Sequence, residues 1–254
     1  MKSISGYSEP EDILKNPPSV QNGILVDTNV LISATYELDS FHQDTIVFLD
    51  QLIDKKIPLF CNVNVRSEFL EIHRRIIFTE ALLSFESVTK GSALGLELRK
   101  KLSSLRSNQR SRETQGRAPV QLSDAELKIF KSLMLQEDNG ALWNKFSSEY
   151  VGENLIDLWS LAVDKIGLTS ISLIGKDQSK YVPEYPEWED AVRLMSQHGI
   201  SSSDAMIVNI FRSSVFTAIL SSDSDIGVSI TRLKMPNKIC ILPDTVLESI
   251  RRYQ

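Results

Sequence analysis

Short apolar runs alternating with stretches of helical periodicity open this chain. Ile24-Leu25-Val26 is a three-residue run ending at Asp27, the pattern of a short strand buried on both faces. Over 39–55, Phe41, Ile46, Leu49, Leu52 and Ile53 recur at helical spacing; 57–63 reads as a second strand; and 65–85 is helical again, with Phe69, Ile72, Ile76 and Ile77 on one side. Strands separated by helices imply right-handed crossovers and a parallel sheet covered by helices. The pattern resumes near the end, where Ser203 is placed to cap a helix running to Arg212 and 216–220 and 238–242 are apolar strands.

The middle does not alternate. From about 86 to 190 the pattern predicts helices without intervening strands, beginning with the stripe Leu94, Leu98, Leu102 and Leu105. The stretch 107–121 holds Gly116 and Pro119 but almost no large apolar residue and is expected to be a mobile loop. Ser123 and Glu126 form a capping-box pattern that opens a helix over 124–136. Further helical pieces are expected around Trp143, over 155–166 and over 187–197. The predicted fold is therefore α/β, a parallel sheet flanked by helices in a discontinuous domain, 22–85 plus 198–254, interrupted by a mainly helical insertion over 86–197. Residues 1–21, with Pro10, Pro17 and Pro18, read as an extended N-terminal arm.

Composition narrows the function classes. With 254 residues, 42% apolar and 24% charged, the chain has the make-up of an ordinary globular protein. No apolar run approaches the roughly 18 residues of a membrane span, and the N-terminus lacks the apolar stretch of a secretory signal, so a cytoplasmic location is expected. Cys61 and Cys240 form no CxxC and are expected to be buried, inert thiols. His42, His73 and His198 are scattered and each is expected to be a surface or half-buried residue rather than a ligand or base, which gives no basis for histidine catalysis. The net charge is −5, yet residues 90–117 carry eight cations against two anions.

An acid at the carboxyl end of a parallel strand faces the crevice where open α/β sheets bind ligands, and Asp27 is such an acid. A carboxylate buried there is costly unless paired, hydrogen-bonded or metal-bound; capping the following turn is the plainer role open to it. The segment ILVDTNVLISA resembles the opening motif of PIN-domain nucleases, and the likeness continues along the chain. VNVRSEFLEIHRR offers Glu68 early in the helix after the second strand, ISSSDAMIVNIF offers Asp204 at an Asp-Ala helix start, and AILSSDSDIG offers Asp223 two residues after Ser221. The resemblance covers about 22–85 and 198–245. Ser221 stands where Thr is common, Ile226 where Phe is common, and the insertion exceeds anything in compact members.

What the resemblance implies is a PIN-like fold and a metal-dependent endoribonuclease, with Asp27, Glu68, Asp204 and Asp223 as catalytic, Mg²⁺- or Mn²⁺-binding residues. Converging carboxylates repel one another, and hard divalent ions favour carboxylate oxygens. Thr28, Asn29 and Ser221 are expected to orient these carboxylates or a phosphate; Asp225 either extends the cluster or caps the turn before Gly227, with the cap preferred. Arg99, Lys100, Lys101, Arg106, Arg110, Arg112 and Arg117 are candidates for nucleic-acid contact, against the alternative of a solvated helix face. RNA is the expected partner; a small antitoxin-like inhibitory protein and a second copy of the chain are further candidates. The competing readings are a nuclease on structured DNA or RNA, a non-catalytic PIN-like scaffold that binds RNA or protein, and a phosphatase-like hydrolase. That last reading is disfavoured because Asn29 replaces the second acid of the DxD pair that class needs.

Overall fold

The computed structural model describes residues 3–9, 20, 22–88 and 94–252. By their contacts these divide into two compact units, one of 1–69 with 161–254 and one of 70–160.

The first unit holds a six-stranded, all-parallel sheet: β1 (Ile4–Gly6), β2 (Ile24–Val26), β3 (Leu59–Asn62), β4 (Leu168–Ile171), β5 (Ala218–Leu220) and β6 (Ile239–Leu242), in the order β1-β6-β5-β2-β3-β4. Helices α1 (Thr28–Thr35) and α2 (His42–Asp54) connect β2 to β3, and α3 (Val63–Val88) follows β3 directly. The central strands ILV, LFCN and AIL are fully buried, as strands covered on both faces must be. The chain leaves β2 for β3 and β4 on one side, and its later strands β5 and β6 lie on the other. The carboxyl ends of β2 and β5 therefore flank a topological switch point, the crevice where such sheets bind ligands.

The second unit is helical: the continuation of α3, then α4 (Leu96–Thr114), α5 (Asp124–Gln136), α6 (Ala141–Ser147) and the start of α7 (Glu153–Ile166). Its core is Phe78, Leu82, Phe85, Leu98, Leu102, Leu105, Phe130, Met134 and Phe146, so the leucine stripe of α4 does face inward. Ser123 caps α5 through the reciprocal bonds with Glu126 that the sequence predicts. The chain re-enters the sheet-bearing unit at Leu161, within α7; after β4 follow α8 (Gly175–Tyr181), α9 (Trp188–His198) and α10 (Ser202–Ser213), and the chain closes with α11 (Ser224–Leu233) and α12 (Asp244–Arg252).

Four expectations need correction. Residues 168–171, expected within a strandless stretch, form β4; it is an edge strand whose Thr169 and Ser170 are exposed, so it lacks the apolar run of a central strand. Part of the expected arm is β1, paired to β6; residues 10–19 and 21 lie outside the described residues, as does Lys90. The expected loop over 107–121 is helical to Thr114, where Gln109 donates to Glu113 and the Thr114 hydroxyl to the Arg110 carbonyl; Gly116, at φ +63°, ends it, and Val120 N–H is pinned by Gln109 Oε1 at 2.8 Å. His73 is buried, not superficial, and burial pulls its pKa down to about 4. Cys61 and Cys240 are free and buried.

Candidate active site

Asp27 follows the last residue of β2, and its backbone N–H still bonds the Leu220 carbonyl of β5 at 2.9 Å. It caps α1: Oδ1 accepts from Thr28 N–H at 2.7 Å. Oδ2 accepts from the Ser221 hydroxyl at 2.8 Å, a bond spanning 194 residues of chain. The side chain is 1% exposed, and its pKa is pushed up to about 7, first by burial and then by the charges of Glu68 and Asp204, against the lowering effect of the Ser221 and Thr28 bonds.

The other three acids stand around it. Glu68, half-buried in the second turn of α3, accepts on the single oxygen Oε2 from Thr28 Oγ1 at 2.9 Å and Ser203 Oγ at 2.6 Å. Asp204 lies in the first turn of α10, where its Oδ2 accepts from Ser201 Oγ at 2.6 Å and its N–H bonds the same hydroxyl. Asp223 caps α11 by accepting from Asp225 N–H at 2.7 Å, and its own N–H bonds Ser221 Oγ at 3.0 Å. Burial raises the pKa of both Asp204 and Asp223, with Glu68 and Asp225 adding like charge to each. The structure thus brings Asp27, Glu68, Asp204 and Asp223 into one electrostatic neighbourhood at the switch point. Asp27, Asp204 and Asp223 lie at the N-terminal ends of helices, where the helix dipole favours negative charge.

Ser221 ties two of these acids together, donating to Asp27 and accepting from Asp223, and Thr28 ties α1 to Glu68. Asn29 is half-buried in the first turn of α1. Asp225 is not the cap expected of it: Asp223 takes that role, and Asp225 stays exposed in the first turn. Ser203 is likewise not the helix cap. Ser201 is, because its hydroxyl meets the Asp204 N–H, and this turns Ser203 toward Glu68. Neither Ser201 nor Ser203 stands out from the sequence as a site residue, although the serine run directly before Asp204 is the available signal. Among the described residues no three His, Cys, Asp or Glu side chains are grouped as ligands of one ion; each acid is instead bonded to its own hydroxyl or N–H.

The basic segment lies in the helical unit. Arg99, Lys100, Lys101 and Arg110 on α4, and Arg117 just after it, are exposed. Arg106 and Arg112 are half-buried and donate to the carbonyls of Leu83 (3.1 Å) and Ala118 (2.6 Å), while Lys100 pairs with Glu97 at 3.0 Å.

No protein-family model, curated protein or solved structure matches this chain. Within the described residues no helix is long and apolar enough to cross a membrane.

Proposed function

We propose that the chain is a metal-dependent nuclease of PIN-like architecture that hydrolyses RNA phosphodiester bonds. The observation that carries this reading is the meeting of four acids, from positions 27, 68, 204 and 223, near the carboxyl ends of β2 and β5, where burial and neighbouring like charge make the ionised forms of Asp27, Asp204 and Asp223 costly. An all-oxygen donor set of carboxylates with flanking hydroxyls suits a hard divalent cation such as Mg²⁺ or Mn²⁺ and relieves that cost. Asp27 and Asp204 are the residues to hold the ion directly, with Glu68 and Asp223 beside them. A bound ion would supply Lewis acidity and charge neutralisation at the phosphodiester.

The chain's own residues do the rest. Ser221 fixes the Asp27 carboxylate against β5 and sets the start of α11, Ser201 fixes Asp204, and Thr28 reaches Glu68. The first turns of α1, α10 and α11 add positive dipole ends to a site that must accept an anionic substrate. The exposed cations of α4 supply sequence-independent attraction for a nucleic-acid backbone.

The test is cleavage of mixed single-stranded RNA and DNA oligonucleotides with Mg²⁺ or Mn²⁺. The expected result is divalent-dependent RNA cleavage that falls at least about a hundred-fold in Asp27→Asn, the scale of losing a group that acts on transition-state charge. Cleavage untouched by Asp27→Asn overturns the mechanism. RNA binding without cleavage in either metal favours a non-catalytic scaffold, and preferential cutting of DNA changes the substrate.

A further inference from the structure

Glu68 differs from the other acids in how it is held. Asp27 and Asp223 each accept a backbone N–H on the side chain, and Asp204 is bonded to the serine that caps its own helix. Glu68 has no such local anchor. It has one more side-chain torsion than Asp, and it sits in the second turn of α3, a helix that continues out of the sheet-bearing unit after Phe69. Left alone, its carboxylate has rotamer freedom to lose before it can take part in a site.

Two hydroxyls from distant parts of the chain remove that freedom. Thr28 Oγ1, 40 residues away, and Ser203 Oγ, 135 residues away, both donate to Oε2. A carboxylate oxygen has two lone-pair directions, so these two bonds use up Oε2, and Oε1 accepts nothing from the described residues. Thr28 is 1% exposed, so its hydroxyl is held in place by its surroundings. The segment 201–204 serves two acids at once: Ser201 bonds Asp204 within the turn, and Ser203 bonds Glu68 across it.

Resting on the metal-dependent reading above, we infer that Ser203, acting together with Thr28, is a positioning residue that locks Glu68 through Oε2 and so holds its carboxylate ready for the divalent ion. Ser203 acts through Glu68, to which its hydroxyl donates. Partners of this kind typically change metal affinity about 10- to 100-fold when removed.

The experiment is calorimetric titration of the folded full chain with Mn²⁺ alone. Ser203→Ala is expected to weaken Mn²⁺ binding about ten-fold. Ser203→Thr, which keeps the hydroxyl, restores most of it. In the Glu68→Gln background Ser203→Ala should add almost nothing, because the residue it positions no longer carries the charge. The Mn²⁺ concentration for half-maximal cleavage should rise in Ser203→Ala while the rate at saturating Mn²⁺ recovers. If Ser203→Ala does not fold, Thr28→Val, which keeps the shape and loses the hydroxyl, tests the same oxygen and is expected to give the same weakening. Unchanged Mn²⁺ affinity in a folded hydroxyl-deleted variant overturns the inference and leaves the metal reading standing, as does a full Ser203→Ala effect in the Glu68→Gln background. Absence of Mn²⁺ binding by the unsubstituted protein overturns both.

Discussion

Asp27, the residue at the centre of the proposed site, is a side chain whose burial costs stability. Its carboxylate is buried beside like charges, and its pKa, raised to about 7, expresses that cost. Asparagine keeps the oxygen that receives Thr28 N–H while discarding the charge. In divalent-free buffer at pH 8, Asp27→Asn is therefore expected to be more stable than the unsubstituted chain by roughly 1–3 kcal/mol, measured by urea unfolding, even though the proposed mechanism requires it to lose activity. Equal or lower stability would mean that the buried charge is better compensated than its surroundings show. His73 gives the complementary case on the acid side. Burial lowers its pKa to about 4 against 6.5 for the free imidazole, so below pH 6.5 the unfolded chain takes up a proton that the fold refuses. Its contribution is intact above pH 6.5, is lost progressively as the pH falls to 4, and levels off below that. Between pH 7 and 5 the unfolding free energy should drop by roughly 1–2 kcal/mol from this group, and His73→Leu should flatten the slope.

The elements that position the acids are very short, so their entry geometry matters more than their length. β2 has three residues, and Gly23 sets it up at φ +90°. A Cβ there would lie 2.4 Å from the Phe60 ring and 2.5 Å from the Pro58 carbonyl, the same carbonyl that receives Ile24 N–H and starts the pairing with β3. Gly23→Ala combines strained backbone with a clash against a neighbouring strand, and is expected to cost about 2 kcal/mol or more in thermal or urea unfolding. Because Asp27 lies four residues on, the same variant should also bind Mn²⁺ more weakly. Helix α4 is read differently along its length. Its first half is set by Leu98, Leu102 and Leu105 against the core, whereas its last two turns carry side-chain bonds four residues apart, Gln109 to the Glu113 carboxylate and Thr114 to the Arg110 carbonyl, and are ended by Gly116. Apolar periodicity sees the first half and misses the second, which is why residues 107–114 read as loop.

For the molecule as a whole, charge distribution outweighs net charge. A chain of net −5 places exposed Arg99, Lys101 and Arg110 on one helix and Arg117 just past its end, while Arg106 and Arg112 are partly committed to backbone carbonyls. Reversing Arg99, Lys101, Arg110 and Arg117 to Glu should weaken binding of single-stranded RNA and flatten its salt dependence, by a slope of about 0.7 for each phosphate that is no longer neutralised; unchanged binding would reduce the segment to a solvated face. The α/β class, the central strands and the boundaries of α5 could be read from residue order, because apolar periodicity and the Ser123 capping box act over a few residues. The edge strands could not: β4 turns two polar residues outward, and β1 has three residues, one of them glycine. The acids at 27, 68, 204 and 223 could each be noticed from local motifs, since each begins or closely follows the start of a helix. Their convergence is not local: the Ser221 bond to Asp27 and the Ser203 bond to Glu68 join residues 194 and 135 positions apart. Short-range periodicity encodes which segments become strands and helices, but no local pattern encodes the distance between two side chains; that is set when the sheet closes and the packing of β2 against β5 brings the Ser221 hydroxyl within reach of Asp27.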